Sequence, residues 1–154
     1  LKLEWIIDNS MKIKLAWIGK TKAKEPAIQA LTDEYLKRLS HYADVDGVAL
    51  KDESAVLALA AQGRFKLVLL DSRGKQLSSE ELAAFLDREQ IAAIPLLFVI
   101  GGSDGFTETA CKHAAFTLSL GKMTLPHELA RVVLVEQLYR AFTILKRHPY
   151  HLGH

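Results

Sequence analysis

Pro95-Leu96-Leu97-Phe98-Val99-Ile100 runs directly into Gly101-Gly102-Ser103-Asp104-Gly105, and the fold turns on this junction. An uncharged apolar run of strand length, bounded by turn residues, is the pattern of a strand covered on both faces in a parallel sheet. Phe65 to Leu70 repeats the pattern and stops at Asp71, which predicts a second buried strand at the centre of the sheet. Beyond Ile100, three glycines permit backbone angles that other residues resist, so a sharp turn follows. Open α/β sheets place ligands outside the carboxyl ends of their strands, which is where this turn lies. It reads either as a plain tight turn or as a ligand loop. The glycines at 101, 102 and 105 do not make the GxGxxG of dinucleotide sites, and no lysine and hydroxyl follow as a P-loop requires.

Outward from the junction the chain alternates strand and helix. Met11 to Ile18 reads as a first strand, closed by Gly19 and a loop bearing Lys20, Lys22 and Lys24. Ile28, Leu31, Tyr35, Leu36 and Leu39 recur at helical spacing within Pro26 to Tyr42. Val45 to Leu50 is a short strand, and Ser54 to Gln62 a helix ended by Gly63. Ser78 and Glu81 stand at capping-box spacing before a helix that reaches Ile91. Thr107 to Ala115 is a short helix, Phe116 to Leu120 a last strand, and Pro126 to Lys146 the longest helix, cut off by Pro149. The order predicts a single α/β domain on a mostly parallel sheet, spanning residues 11–154. Residues 1–10 read as a dispensable N-terminal extension, because the clean strand pattern begins only at Met11.

Composition narrows the classes of function. The 154 residues are one domain's worth, and 49% hydrophobic with 25% charged is a globular composition. Twenty basic against 18 acidic residues leave a net charge of +2, too small for bulk electrostatics to hold nucleic acid, so an RNA partner must be gripped locally. The lone Cys111 offers no disulfide framework, which fits a reducing cytoplasm, and it reads as a buried helical thiol. No apolar run approaches the roughly 20 residues a membrane helix needs.

Three further segments carry candidate chemistry. Leu120-Gly121-Lys122-Met123-Thr124-Leu125-Pro126-His127 joins the last strand to the long helix and can share a pocket with the glycine turn; for Thr124 taken alone, a helix cap is the favoured reading. On the long helix, Val132, Val133, Val135, Tyr139 and Phe142 cover so much of the circumference that one face is expected on the sheet and another on a partner subunit. Glu136 and Arg140 read as a solvated i,i+4 ion pair, which leaves Arg131 the freer cation. The tail, His148-Pro149-Tyr150-His151-Leu152-Gly153-His154, holds three of the six histidines. With no carboxylate or thiolate in the tail it is a poor metal site. Imidazoles and a phenol suit proton transfer or stacking on a base, and a frayed polar terminus is the plain alternative.

Taken together, Leu70-Asp71, Ile100 to Gly105, Met123 to Val132, Glu136 to Ala141 and His148-Pro149-Tyr150-His151 closely resemble the bacterial 23S rRNA (pseudouridine(1915)-N3)-methyltransferases of the SPOUT class, in unbroken order from Met11 to about His151. The resemblance implies a trefoil-knotted α/β fold, a homodimer, and S-adenosylmethionine (S-adenosyl-L-methionine) held by three loops. Carried over by position, these are Leu70; the glycine turn with Gly101, Gly102 and Gly105; and Leu120, Gly121, Lys122, Met123, Thr124 and Leu125. It implies as substrate the helix 69 pseudouridine of the assembled 70S ribosome. His148, Tyr150 and His151 of one subunit are then expected to close over the pocket of the other and help remove the N3 proton, with Arg131 on RNA phosphate or the cofactor carboxylate. Neither metal nor membrane enters this reading. Two departures stand out: Leu152 occupies the place of a usual terminal basic residue, and the Val45 to Ser54 segment is short. The competing readings are a tRNA-directed knotted methyltransferase, which would lack this tail, and a non-catalytic ribosome-binding dimer of the same fold.

Overall fold

The computed structural model describes residues 11–152, so the extension at 1–10 lies outside the described residues. Five strands and five helices alternate: β1 (Lys12–Ile18), α1 (Pro26–Leu39), β2 (Asp44–Leu50), α2 (Glu53–Gly63), β3 (Lys66–Gln76), α3 (Ser79–Ala92), β4 (Leu96–Ile100), α4 (Glu108–His113), β5 (Phe116–Ser119) and α5 (His127–Leu145). The strands form one sheet in the order β2-β1-β4-β3-β5, and every pairing is parallel. The middle strand is therefore β4, with β3 interior beside it, rather than β3 at the centre.

Alternation along β4 shows why both apolar runs are continuous. Leu96, Phe98 and Ile100 join the core formed with α1, α3 and α5, while Leu97 and Val99 join a second core with Val56, Phe106 and Ala110. All five β4 residues are buried, so no position faces water and none is polar. The α3 capping box forms as the spacing predicts: Ser78 accepts from the Glu81 amide at 3.0 Å, and Glu81 accepts from the Ser78 amide at 2.8 Å.

Several boundaries differ from the sequence reading. Helix α1 ends at Leu39 rather than Tyr42, because Tyr42 instead stacks on Phe142 with ring centroids 5.9 Å apart. The left-handed residue after α2 is Arg64, at φ 53°, with Gly63 still inside the helix. Strand β3 does not stop at Asp71. It pairs with β5 through Leu70↔Leu118, bulges, and resumes at Lys75↔Leu118, so that residues 71–74 stand out from the ladder. Gly74 is required there: a Cβ would lie 2.5 Å from the Thr117 carbonyl oxygen. Finally, α5 lies between α1 and α3 of its own chain, so much of the apolar circumference expected to meet a partner is covered internally.

Candidate functional site

Because all five strands are parallel, the bulge of β3 at residues 71–74 and the loops after β4 and β5 lie on one edge, where they line a cavity of about 670 Å³. A volume of this order suits a small-molecule ligand. Of the residues expected at the cofactor, Leu70, Gly101, Gly102, Gly105, Leu120, Gly121, Met123, Thr124 and Leu125 all line it; Lys122 does not. Glycine geometry shapes the walls. A Cβ on Gly101 would meet the Phe106 ring at 3.0 Å, so glycine lets that buried ring close the turn from behind. Gly105, at φ 71°, donates to the Gly102 carbonyl at 3.1 Å. Gly121, at φ 142°, is held by Ser119, whose hydroxyl accepts from the Gly121 amide at 3.1 Å and donates to its carbonyl at 2.9 Å. Thr124 is not the helix cap. Pro126 occupies that position and makes no side-chain capping bond.

The β3 bulge adds a wall that the sequence reading missed, since it ended the strand at Asp71. Asp71, Ser72 and Arg73 line the cavity. Arg73 grips Asp71 through two bonds, Nε to Oδ1 at 2.9 Å and Nη2 to Oδ2 at 2.7 Å, and Nη2 also donates to the Phe106 carbonyl at 3.0 Å. One guanidinium thus ties the bulge to the segment following the glycine turn. Its bonds, stronger than the opposing cost of burial, hold the Asp71 carboxyl at about 2, below its ordinary value. The signal in the sequence was Gly74, a glycine inside an otherwise strand-like run.

The tail lies elsewhere. None of His148, Tyr150 and His151 lines the cavity of its own chain. Tyr150 and His151 fold back on α5 in a polar network centred on Glu136. The Tyr150 hydroxyl donates to Glu136 Oε2 at 2.7 Å, and Arg140 Nη2 donates to the same oxygen at 2.8 Å. Arg140 Nη1 also lies 3.1 Å from His151 Nδ1, while His151 Nε2 lies 2.7 Å from Glu80 Oε1. Arginine only donates, so Nδ1 accepts and the other ring nitrogen carries the proton toward Glu80. His148 is exposed, and its Nδ1 accepts from the Tyr150 amide at 3.1 Å. The Glu136–Arg140 pair is therefore not a solvated one; its side chains keep only 17% and 22% exposure. Burial, followed by the bonds to Tyr35 and Glu136, raises the Tyr150 phenol above its ordinary value, so it stays protonated at neutral pH and serves as a donor rather than a base.

Arg131 also departs from expectation. It is 3% exposed, with its guanidinium 4.5 Å from the Trp17 ring and Nη2 3.4 Å from the Lys20 carbonyl. Its Nε has no hydrogen-bond partner among the described residues, and desolvation lowers its pKa. The predicted freer cation is covered, and it is not placed to take a phosphate or carboxylate directly.

A protein-family model described as "Predicted SPOUT methyltransferase" matches residues 11–151. The chain belongs to the SPOUT methyltransferases. Among curated relatives, the "Ribosomal RNA large subunit methyltransferase H" of Koribacter versatilis is 56% identical over 148 residues, covering 94% of this chain and 100% of the relative. The protein of the same name from Geobacter sulfurreducens is 39% identical over 154 residues, covering 92% and 99%. Solved structures share the fold. A probable methyltransferase from Bordetella pertussis Tohama I superposes with a TM-score of 0.58 at 11% identity, over 90% of this chain and 98% of that one. The SpoU methyltransferase AviRb from Streptomyces viridochromogenes, solved with AdoMet, superposes with a TM-score of 0.52 at 14% identity over 85% of this chain, which spans 58% of its length. This SPOUT member thus carries its family match over both the three-loop cavity and the tail.

Proposed function

We propose that this protein is an S-adenosylmethionine-dependent methyltransferase that modifies N3 of the helix 69 pseudouridine, position 1915, in 23S rRNA of the assembled 70S ribosome. The observation that carries the reading is the cavity. Its three loops are built from glycine backbone and from Leu70, Leu118, Leu120 and Leu125, an apolar bed with close main-chain approach that fits an adenine ring and a methylthio group. The bound cofactor supplies an activated methyl group on a sulfonium. This chain's residues must hold the acceptor base in line, keep water out, and let the N3 proton leave.

The tail supplies the second half of the site in this reading. Tyr150 and His151 stand away from their own chain's cavity, which supports a homodimer in which the tail of one copy reaches the cavity of the other. Glu136, which the sequence reading took for a surface charge, orients the Tyr150 hydroxyl as a donor, and Arg140 holds His151. His148, the exposed member, is the one with a ring open to the base or its phosphate. The knotted topology implied by the resemblance belongs to the same reading.

The test is transfer of a labelled methyl group to ribosomes lacking the modification, with 70S particles, free large subunits and bulk tRNA in parallel. Label on 70S particles alone, mapped to helix 69, is the expected result. Label on tRNA alone removes the substrate assignment, and cofactor binding without any transfer favours the non-catalytic dimer.

A further inference from the structure

We infer that the loop of residues 19–25 is a preformed phosphate-gripping surface for the substrate RNA, standing on a buried Trp17–Arg131 pedestal beside the cavity. The inference rests on the proposed reading that the substrate is RNA, and adds to it the surface that holds the strand while the base is modified.

Sequence Gly19-Lys20-Thr21-Lys22-Ala23-Lys24-Glu25 places three lysines at alternate positions, with Glu25 the only acid. All three lysines are exposed, and among the described residues none of their ammonium groups pairs with a carboxylate. Alternating lysines on a short loop are commonly mobile solvated groups. Here the backbone beneath them is fixed at three places. The Lys20 carbonyl accepts from Trp17 Nε1 at 2.7 Å and from Arg131 Nη2 at 3.4 Å. The Ala23 amide donates to Gln29 Oε1 at 2.7 Å, and the Lys24 amide donates to both carboxylate oxygens of Glu128, at 3.0 and 3.2 Å.

Those anchors also locate the loop. Glu128 lies in the first turn of α5, directly after Pro126 and His127, which line the cavity. The loop follows β1, so it emerges on the same sheet edge as the β3 bulge and the loops after β4 and β5. Arg131 thereby acquires a role as a positioning residue. Stacked on Trp17 and desolvated, it spends its charge beneath the loop, under a carbonyl, while the three lysines above keep theirs for a ligand. A polyanion is the ligand that alternating unpaired ammonium groups suit, and preordering them lowers the entropic cost of binding it. A chain with a net charge of only +2 must concentrate its grip in such a place.

The experiment compares the wild-type protein with the triple variant Lys20→Gln, Lys22→Gln, Lys24→Gln in binding to, and methyl transfer into, unmodified 70S ribosomes across a salt series. Each phosphate contact contributes about 0.7 to 0.9 to the slope of log affinity against log salt. The variant is expected to flatten that slope by about 2 to 3 and to raise KM at low salt about tenfold or more, with cofactor affinity by calorimetry unchanged. An unchanged slope and KM overturn the inference while leaving the methyltransferase reading intact. Lysine-dependent, salt-sensitive RNA binding without methyl transfer keeps the surface and removes that reading; wild-type protein that does not bind RNA removes both. A second variant, Arg131→Lys, keeps the charge and loses the stacking plane. It is expected to speed hydrogen exchange at amides 20–24 and raise KM several-fold with the salt slope retained. Unchanged exchange there overturns the pedestal.

Discussion

The cavity and the tail network are built in opposite ways. Around the cavity, three loops approach through backbone and apolar side chains, and several of the residues that matter are glycines whose contribution is the absence of a side chain. Around Glu136, side chains do the work: a carboxylate, a guanidinium, a phenol and an imidazole satisfy one another in a half-buried cluster. A backbone-built site tolerates changes in side-chain identity and fails when conformation is lost. A side-chain network behaves the other way, because removing one member strands the others.

The largest expected effect tests the first half of that comparison. Gly121→Val puts a β-branched residue at φ 142°, a strain of roughly 1–3 kcal/mol. At about 1.4 kcal/mol per tenfold this predicts a loss of about 5-fold to 150-fold in cofactor affinity, measured by calorimetry. Lys122→Ala, one position on and outside the cavity lining, should change affinity less than twofold; equal losses in both would show that side chains govern the loop after all.

Glu136→Gln tests the second half. It leaves Tyr150 and Arg140 without their anionic acceptor, and is expected to lower kcat by about 10² with cofactor affinity kept, as loss of a group positioning the proton-transfer machinery would. A parallel fall in cofactor affinity would mean that the two regions are not separable. Tyr150→Phe removes only the donor, at about 1 kcal/mol of stability in a denaturant titration. Because the phenol's affinity for its proton is raised, the wild-type kcat profile should show no step from its ionisation below about pH 10.

The Asp71–Arg73 clasp sits between the two kinds of construction, a side-chain pair holding a backbone wall. The Asp71 carboxyl has its pKa lowered to about 2 from an ordinary 3.8, so its contribution is full above about pH 4 and is lost as pH falls toward 2. Arg73→Gln should abolish that part of the acid dependence, read as a flatter stability profile between about pH 4 and pH 2, and loosen cofactor binding with it. The smallest effect is expected at the start of α3. Ser78→Ala removes the cap at a cost of about 1 kcal/mol, or about 2–4 °C in Tm.

Part of the cavity was legible in the sequence, because glycines placed after apolar runs announce turns at strand ends; that Gly101, Gly102, Gly105 and Gly121 belong to a cofactor site followed from the resemblance and not from that pattern. Asp71 and Arg73 were not, since the bulge that aims them inward depends on register with β5, and nothing local records which strand will lie alongside. Arg131 and Glu136 were misread for a related reason. Helical spacing says which residues share a face, but not that Trp17 and Lys20 would cover one cation or that the tail would return to bury the other pair.

By itself the sequence determined the alternation of strand and helix, the continuous burial of β4, the capping box at Ser78 and the turns that need glycine. Each follows from residues near one another in the chain, where propensity, pattern and backbone freedom act directly. Tertiary structure alone decided the strand order β2-β1-β4-β3-β5, the sheathing of α5 by α1 and α3, and the protonation partners of Tyr150 and His151. Those depend on contacts between distant segments, and the electrostatic state of a side chain is set by what is brought against it, which no local spacing encodes.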